Sequence, residues 1–272
     1  MKKNILPGFG ITMGITTLYV SLFVLVPISL LLIKTASLSL DEFITIVTNE
    51  RVMHAYKVSL TTAFIAAFLN AIFGLLLAWV LVRYRFPGRR IIDGLIDLPF
   101  ALPTAVAGMT LAALYGPEGW FGQFFQKLGI PIAYTSSGIV IALMFIGLPF
   151  VVRMVQPVLE NLPKETEEAA ASLGASRFQT FHKVIFPEIV PALLAGFSLA
   201  LARGLGEYGS VVFIAGNMPM KTEVAPLLIM SKLEQFDYAG ATAIGVVMLL
   251  LSFTFLIIIN ILQKWHRKHE LR

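Results

Sequence analysis

Cysteine is absent from the 272-residue chain, so neither a disulfide framework nor a thiolate metal site is possible. The four histidines, His54, His182, His266 and His269, are scattered and lack the spacing of metal ligands. No glycine-rich phosphate loop of the P-loop kind occurs, so any ATP that powers this protein must be bound by another chain. No nucleophile–base constellation stands out either, which disfavours an enzyme working inside a membrane. Charge is the other scarcity. Only 14% of the residues are charged, whereas soluble domains carry about 25%. Hydrophobic residues make up 57% and the mean hydropathy is +0.81. These values favour a membrane protein.

The apolar residues fall into six runs long enough to cross a bilayer, at about 11–33, 58–82, 91–115, 138–158, 192–214 and 239–262. This describes an all-α membrane protein with a single transmembrane domain over 1–272. A signal peptide is the rival reading of the first run, which follows Lys2, Lys3, Pro7 and Gly8. At 23 residues, however, the run exceeds the usual apolar region of about 7–15. Asn70 in the second span is placed to bond a neighbouring helix. Pro99 and Pro103 each withhold a backbone donor and predict a kinked or broken third span. The fourth span carries Pro149 and then Arg153. Asp93 and Asp97, near the start of the third span, are expected at an interface. Residues 34–57, 116–136 and 217–238 read as loops, and Trp120 with its neighbouring phenylalanines suits a membrane–water boundary.

One polar island interrupts the pattern, EEAAASLGASRFQTFHKVIFPEIVP, from Glu167 to Pro191. Asn161 is expected as a helix N-cap, with Pro163 in the first turn and acids at the positive end of the dipole. Gly174 then stops that helix, because glycine takes the left-handed cap conformation without steric cost. Ser176 with Gln179 forms a capping-box signature for a second short helix. Ala169, Ala170 and Ala171 give the first helix a smooth face that a partner could approach closely. The plainer reading is a solvated loop that happens to be helical.

Lysine and arginine set the orientation. The amino end, the loops after the second and fourth spans, and the tail together hold 14 of the 21. By the positive-inside rule both ends and the polar island are expected in the cytoplasm. The net charge of +5 then needs no nucleic acid to explain it. Inside the fifth span, Arg203 and Glu207 are four residues apart and can pair on one helical face. They are either a buried ion pair that fixes packing or a means of giving an anion path a favourable potential. Tyr208 and Ser210 add hydrogen-bonding groups beside them, and Gly204, Gly206 and Gly209 permit close backbone approach.

The polar island resembles the EAA loop of ABC-importer membrane subunits, in which Glu-Ala-Ala, three residues, Gly and nine residues precede Ile-x-Leu-Pro. Glu168, Ala169, Ala170, Gly174 and Pro187 fall in register, with Val184 and Phe186 replacing the Ile and Leu. The runs ARGLGEYGSVVFIAGN (202–217) and MPMKTEVAPLLI (218–229) are similar to the T-type permease subunit of sulfate/thiosulfate importers. DLPFALPTAVAGMTL (97–111) and GLPFVVRMVQPVL (147–159) match the wider sulfate–molybdate branch. The resemblance implies a six-helix, type I importer permease fold with a coupling helix in a loop at about 161–187. It implies docking to the ATP-binding subunit through Glu167, Glu168, Ala169, Ala170, Gly174 and Ala175. It also implies two ATP-binding subunits holding the ATP and magnesium, a second permease subunit (related, or another copy), and an extracytoplasmic sulfate-binding protein. Molybdate or tungstate import and an autonomous secondary anion carrier are the alternatives.

Overall fold

A computed structural model describes residues 9–270, and every regular element among them is helical. Lys2, Lys3, Pro7, Gly8 and Arg272 lie outside the described residues, as do the side chains of Lys264, Arg267 and Lys268. In chain order the helices are α1 (Phe9–Ala36), α2 (Leu40–Val47), α3 (Glu50–Arg83) and α4 (Arg89–Ile96). Next come α5 (Leu98–Ala101), α6 (Thr104–Tyr115), α7 (Trp120–Lys127), α8 (Ser136–Asn161) and α9 (Lys164–Ser172). The series ends with α10 (Arg177–Leu205), α11 (Gly209–Ile214), α12 (Ala225–Glu234) and α13 (Tyr238–Glu270). Five of these, α1, α3, α8, α10 and α13 as far as Ile261, are long and apolar enough to cross a membrane.

Two expected spans are not continuous. The third, at 91–115, is cut into α4, α5 and α6, with Pro99 in the first turn of α5 and Pro103 as the residue before α6. Proline stops the ladder at both places, as its missing N–H requires. The fifth, at 192–214, ends at Leu205, and a turn through Gly206 leads into the separate helix α11. Residues 217–238 are more than a loop, because α12 buries Ala225, Leu227 and Leu228 in the bundle. The second helix of the polar island is likewise not separate, since it runs on through α10.

Two of the long helices slacken just before a proline. Ser21–Leu25 in α1 and Phe181–Ile185 in α10 are π turns, closed by Val26 N–H to Ser21 O and Phe186 N–H to Phe181 O. Each leads directly into an X-Pro pair, Val26-Pro27 and Phe186-Pro187. A proline ring collides with the carbonyl four residues back, and widening the turn ahead relieves that collision.

The core is the junction of α3, α8 and α10. Small residues let the three axes approach. A Cβ on Gly74 of α3 would lie 2.7 Å from Val151 Cγ1, and one on Gly196 of α10 would lie 2.7 Å from Val151 Cα. Ala63, Ala66, Ala67 and Ala78 of α3 are buried with Val151, Val152, Val155 and Leu159 of α8. Asn70 is 1% exposed here, and neither its Oδ1 nor its Nδ2 has a partner. The expected bond to a neighbouring helix is therefore absent. The surface it meets explains this, because Gly147, whose Cβ would stand against Asn70 Nδ2, offers no side-chain polar group. The broken spans pack on each other. A Cβ on Gly108 of α6 would stand 2.4 Å from Ser210 O, and one on Gly209 of α11 would stand 2.1 Å from Thr104 Oγ1.

Candidate coupling loop and intramembrane ion pair

The loop is built by its two stops. Asn161 ends α8, with its Nδ2 donating to Pro157 O at 2.9 Å, so Pro163 and not Asn161 is the N-cap of α9. The rigid φ of Pro163 favours the helix start without any side-chain cap. At the other end Gly174 has φ +82°, Gly174 N–H donates to Ala171 O and Ala175 N–H to Ala170 O. That pair of bonds is a Schellman motif, which satisfies carbonyls a helix end would otherwise leave orphaned. Ser176 and Gln179 close a capping box: Ser176 N–H donates to Gln179 Oε1 at 2.8 Å, and Gln179 N–H donates to Ser176 Oγ at 3.3 Å.

The sequence-named docking residues separate here into two sets. Glu168 and Ala169 are exposed, as is Gly174. Glu167 instead turns back and pairs with Arg83 at the end of α3. Ala170 and Ala175 are half-buried. The Arg83 guanidinium lies 5.4 Å from the Trp79 ring centroid, and Trp79 meets Phe181 edge-on at 5.3 Å. A cavity of about 330 Å³ separates α9 from this aromatic pair, lined by Glu167, Ala171, Ala175 and Arg177 with Trp79 and Phe181. At the tip, Leu173 is 89% and Phe178 75% exposed. Sequence reading passed over both, although large apolar side chains flanking a glycine stop in a polar stretch were a visible signal.

Arg203 and Glu207 meet as expected, with Nη1 to Oε2 at 2.5 Å, but not on a continuous helix. Glu207 sits in the turn after α10 and is 2% exposed. Its second oxygen, Oε1, accepts Ser210 N–H at 2.9 Å and Ser210 Oγ–H at 3.1 Å. One carboxylate thus joins the last turn of α10 to the first of α11 and satisfies a donor of that helix start. Tyr208 stands apart. It lines a largely apolar groove of about 440 Å³ with Leu205, Pro226, Met230 and Met248.

Three further ion pairs come from residues far apart in sequence. Arg153 of α8 donates from Nε and Nη2 to both oxygens of Asp97, at 2.8 and 2.6 Å, and from Nη1 to Asp93 Oδ1 at 2.6 Å. Asp93 and Asp97 thereby pin the broken third span to α8. Arg51 of α3 grips Glu223, in the segment before α12, with two bonds of 2.7 Å. Arg83–Glu167 and Arg51–Glu223 lie at opposite ends of α3, so each gathers onto one side the loops that a back-and-forth chain would place there.

An apolar helical bundle carrying an exposed, doubly stopped helix–turn–helix loop has the build of a transporter's membrane subunit. Solved structures share the fold. One is a bacterial ABC transporter involved in the import of the acidic polysaccharide alginate, which is 17% identical and aligns with a TM-score of 0.76 over 92% of each chain. An inward-facing methionine ABC transporter, also 17% identical, aligns at 0.61 over 79% of this chain and 95% of its own. The chain belongs to the family of binding-protein-dependent transport system inner membrane components, which matches residues 70–269. Within it, the sulfate transport system permease protein of Salmonella typhimurium is 51% identical over 96% of this chain and 95% of its own. Its Escherichia coli counterpart is equally similar, and a probable one from Nephroselmis olivacea is 51% identical over 94% and 90%.

Proposed function

We propose that this chain is the membrane-spanning permease subunit of an ABC importer for sulfate or thiosulfate, driven by ATP hydrolysis in partner subunits. The 51% identity to sulfate permeases over nearly the whole length carries this reading. The chain has no ATPase site of its own in this scheme, and ATP with magnesium belongs to two ATP-binding subunits. The docking element for them is Glu168–Leu173, ended by Gly174. Leu173 at its end is 89% exposed, and Phe178 just beyond the glycine stop is 75% exposed although its ring stacks on His182, which supports a partner surface there.

Sulfate is doubly charged and strongly hydrated, so an apolar bundle alone would reject it. An extracytoplasmic sulfate-binding protein would replace the hydration shell with fixed dipoles, then release the ion to a cavity opened between this subunit and a second permease subunit. Alternating access needs two packings of the bundle, biased by ATP in the partners. The breaks at Pro99, Pro103 and Gly206 supply places to flex. Both ends and the coupling loop lie on the cytoplasmic side of the inner membrane in this scheme.

Reconstituted uptake with partners added one at a time tests the proposal. Sulfate flux is expected only when ATP-binding subunits, the second permease subunit and loaded binding protein are all present. Flux through this chain alone would establish a secondary carrier instead. Transport of molybdate in preference to sulfate with the cognate binding protein would move the substrate assignment.

A further inference from the structure

The two adjacent glutamates of the coupling loop face opposite ways. Glu168 is exposed, whereas the Glu167 side chain is 30% exposed and paired with Arg83, itself 18% exposed. Helix α9 buries no residue, and the cavity of about 330 Å³ holds it away from Trp79 and Phe181. The Glu167 carboxylate bridges that gap to α3. At the far side of the gap the guanidinium is braced by the Trp79 ring, and its Nε is buried without a partner. The next helix is braced too, since Trp79 meets Phe181 in the π turn of α10.

From this juxtaposition we infer that Arg83 and Glu167 are positioning residues, a strut that carries movement of the docked coupling helix into α3. An ion pair suits that task. It resists both push and pull along its axis, and the cation–π contact keeps the guanidinium from swinging aside. A loop separated from the bundle by a cavity would otherwise tilt without moving the spans. The inference rests on the docking role proposed above, but it assigns Glu167 inward and leaves docking to Glu168, Leu173 and the alanine face.

The test uses the complete complex, with permease pair, ATP-binding subunits and sulfate-loaded binding protein. Arg83→Gln and Glu167→Gln are expected to retain the ATP-binding subunits at wild-type stoichiometry. Stimulation of ATP hydrolysis by loaded binding protein, and sulfate uptake per ATP, should fall about tenfold, within the usual range of site-to-site coupling. Arg83→Lys, which keeps the charge, should recover most of both, and the exchange Arg83→Glu with Glu167→Arg should recover part. Wild-type stimulation and uptake in the Gln variants would overturn the strut. So would an inert Arg83→Lys in a fully assembled complex, or loss of the ATP-binding subunits from the Gln variants. The docking role itself fails on a different result, namely full subunit retention by Gly174→Val and Glu168→Lys.

Discussion

Arg51 and Glu223, 172 positions apart, are joined by two parallel hydrogen bonds of 2.7 Å, Nε to Oε2 and Nη2 to Oε1. The pair is lopsided in its surroundings, because the arginine side chain is 41% exposed and the glutamate 1%. Glu223 also stands two residues before Ala225, whose N–H donates to Ser59 Oγ of α3 at 2.8 Å. The entry to α12 is thus fastened to α3 twice within three residues.

This asymmetry predicts unequal costs. Arg51→Ala strands a buried carboxylate and should destabilise the subunit by roughly 1–3 kcal/mol. Glu223→Gln leaves Arg51 free to turn to water and should cost less than half of that. Thermal unfolding of the purified complex in detergent measures both. Equal losses, or a greater loss in Glu223→Gln, would contradict the arrangement.

Cysteine labelling checks the sidedness. A single cysteine at Ser39, Ser136 or Lys221, all exposed, should react with an impermeant thiol reagent applied from outside. One at Ser176 should react only after the membrane is opened. Thr222 is unsuitable for this purpose, since it is 4% exposed and its Oγ1 accepts Met218 N–H. Labelling of Ser176 from outside would reverse the orientation.

Gly174 should tolerate no β-branched residue. Nothing lies within 4 Å of a Cβ built there, so the penalty comes from the backbone alone. Holding φ at +82° with valine costs on the order of 1–2 kcal/mol. The loop can escape that strain only by unwinding the Schellman turn and re-aiming Leu173. Gly174→Val and Glu168→Lys should therefore insert normally, keep the second permease subunit and lose the ATP-binding subunits on copurification. Normal retention by both, with normal stimulation of hydrolysis, speaks against the docking element.

The Arg203–Glu207 pair is best probed from the glutamate. Glu207→Gln keeps an acceptor for the two donors of Ser210, whereas Glu207→Ala strands both. The alanine variant should be the less stable by about 1–3 kcal/mol. Exchanging the two charges should not help, because arginine at 207 cannot accept from Ser210. For Arg203→Gln, uptake is expected to fall only as far as the amount of assembled complex falls. A full complement of complex with poor uptake would instead place Arg203 on the anion path.

What could be read in advance was whatever a few neighbouring residues decide. Gly174 had to stop a helix, Ser176 and Gln179 had to cap one, and Pro99 and Pro103 had to break one. The break at Gly206 escaped notice because the residues on either side of it are apolar enough to average into one span. Glu207 looked like a partner on a helix face, while in three dimensions it also caps the helix that follows. The pairing of Arg153 with Asp93 and Asp97, and that of Arg51 with Glu223, depend on which helices lie side by side. No local pattern encodes that. Asn70 failed as an expectation for a related reason, since only the packed bundle shows that it faces Gly147.

The π turn at Phe181–Ile185 fixes an angular setting as well as relieving Pro187. Each residue of an α-helix advances the chain by about 100° around its axis. The π turn fits one extra residue into nearly the arc of an ordinary turn, so rewinding these same residues as regular α-helix would swing everything ahead of them by about that angle while leaving the bundle behind untouched. Glu168 and Leu173 would then point along a different bearing, and Glu167 would lose its line to Arg83. The compass direction of the loop is thus held by one slack carbonyl, and a change that rewinds this turn should do more harm than many substitutions at the tip.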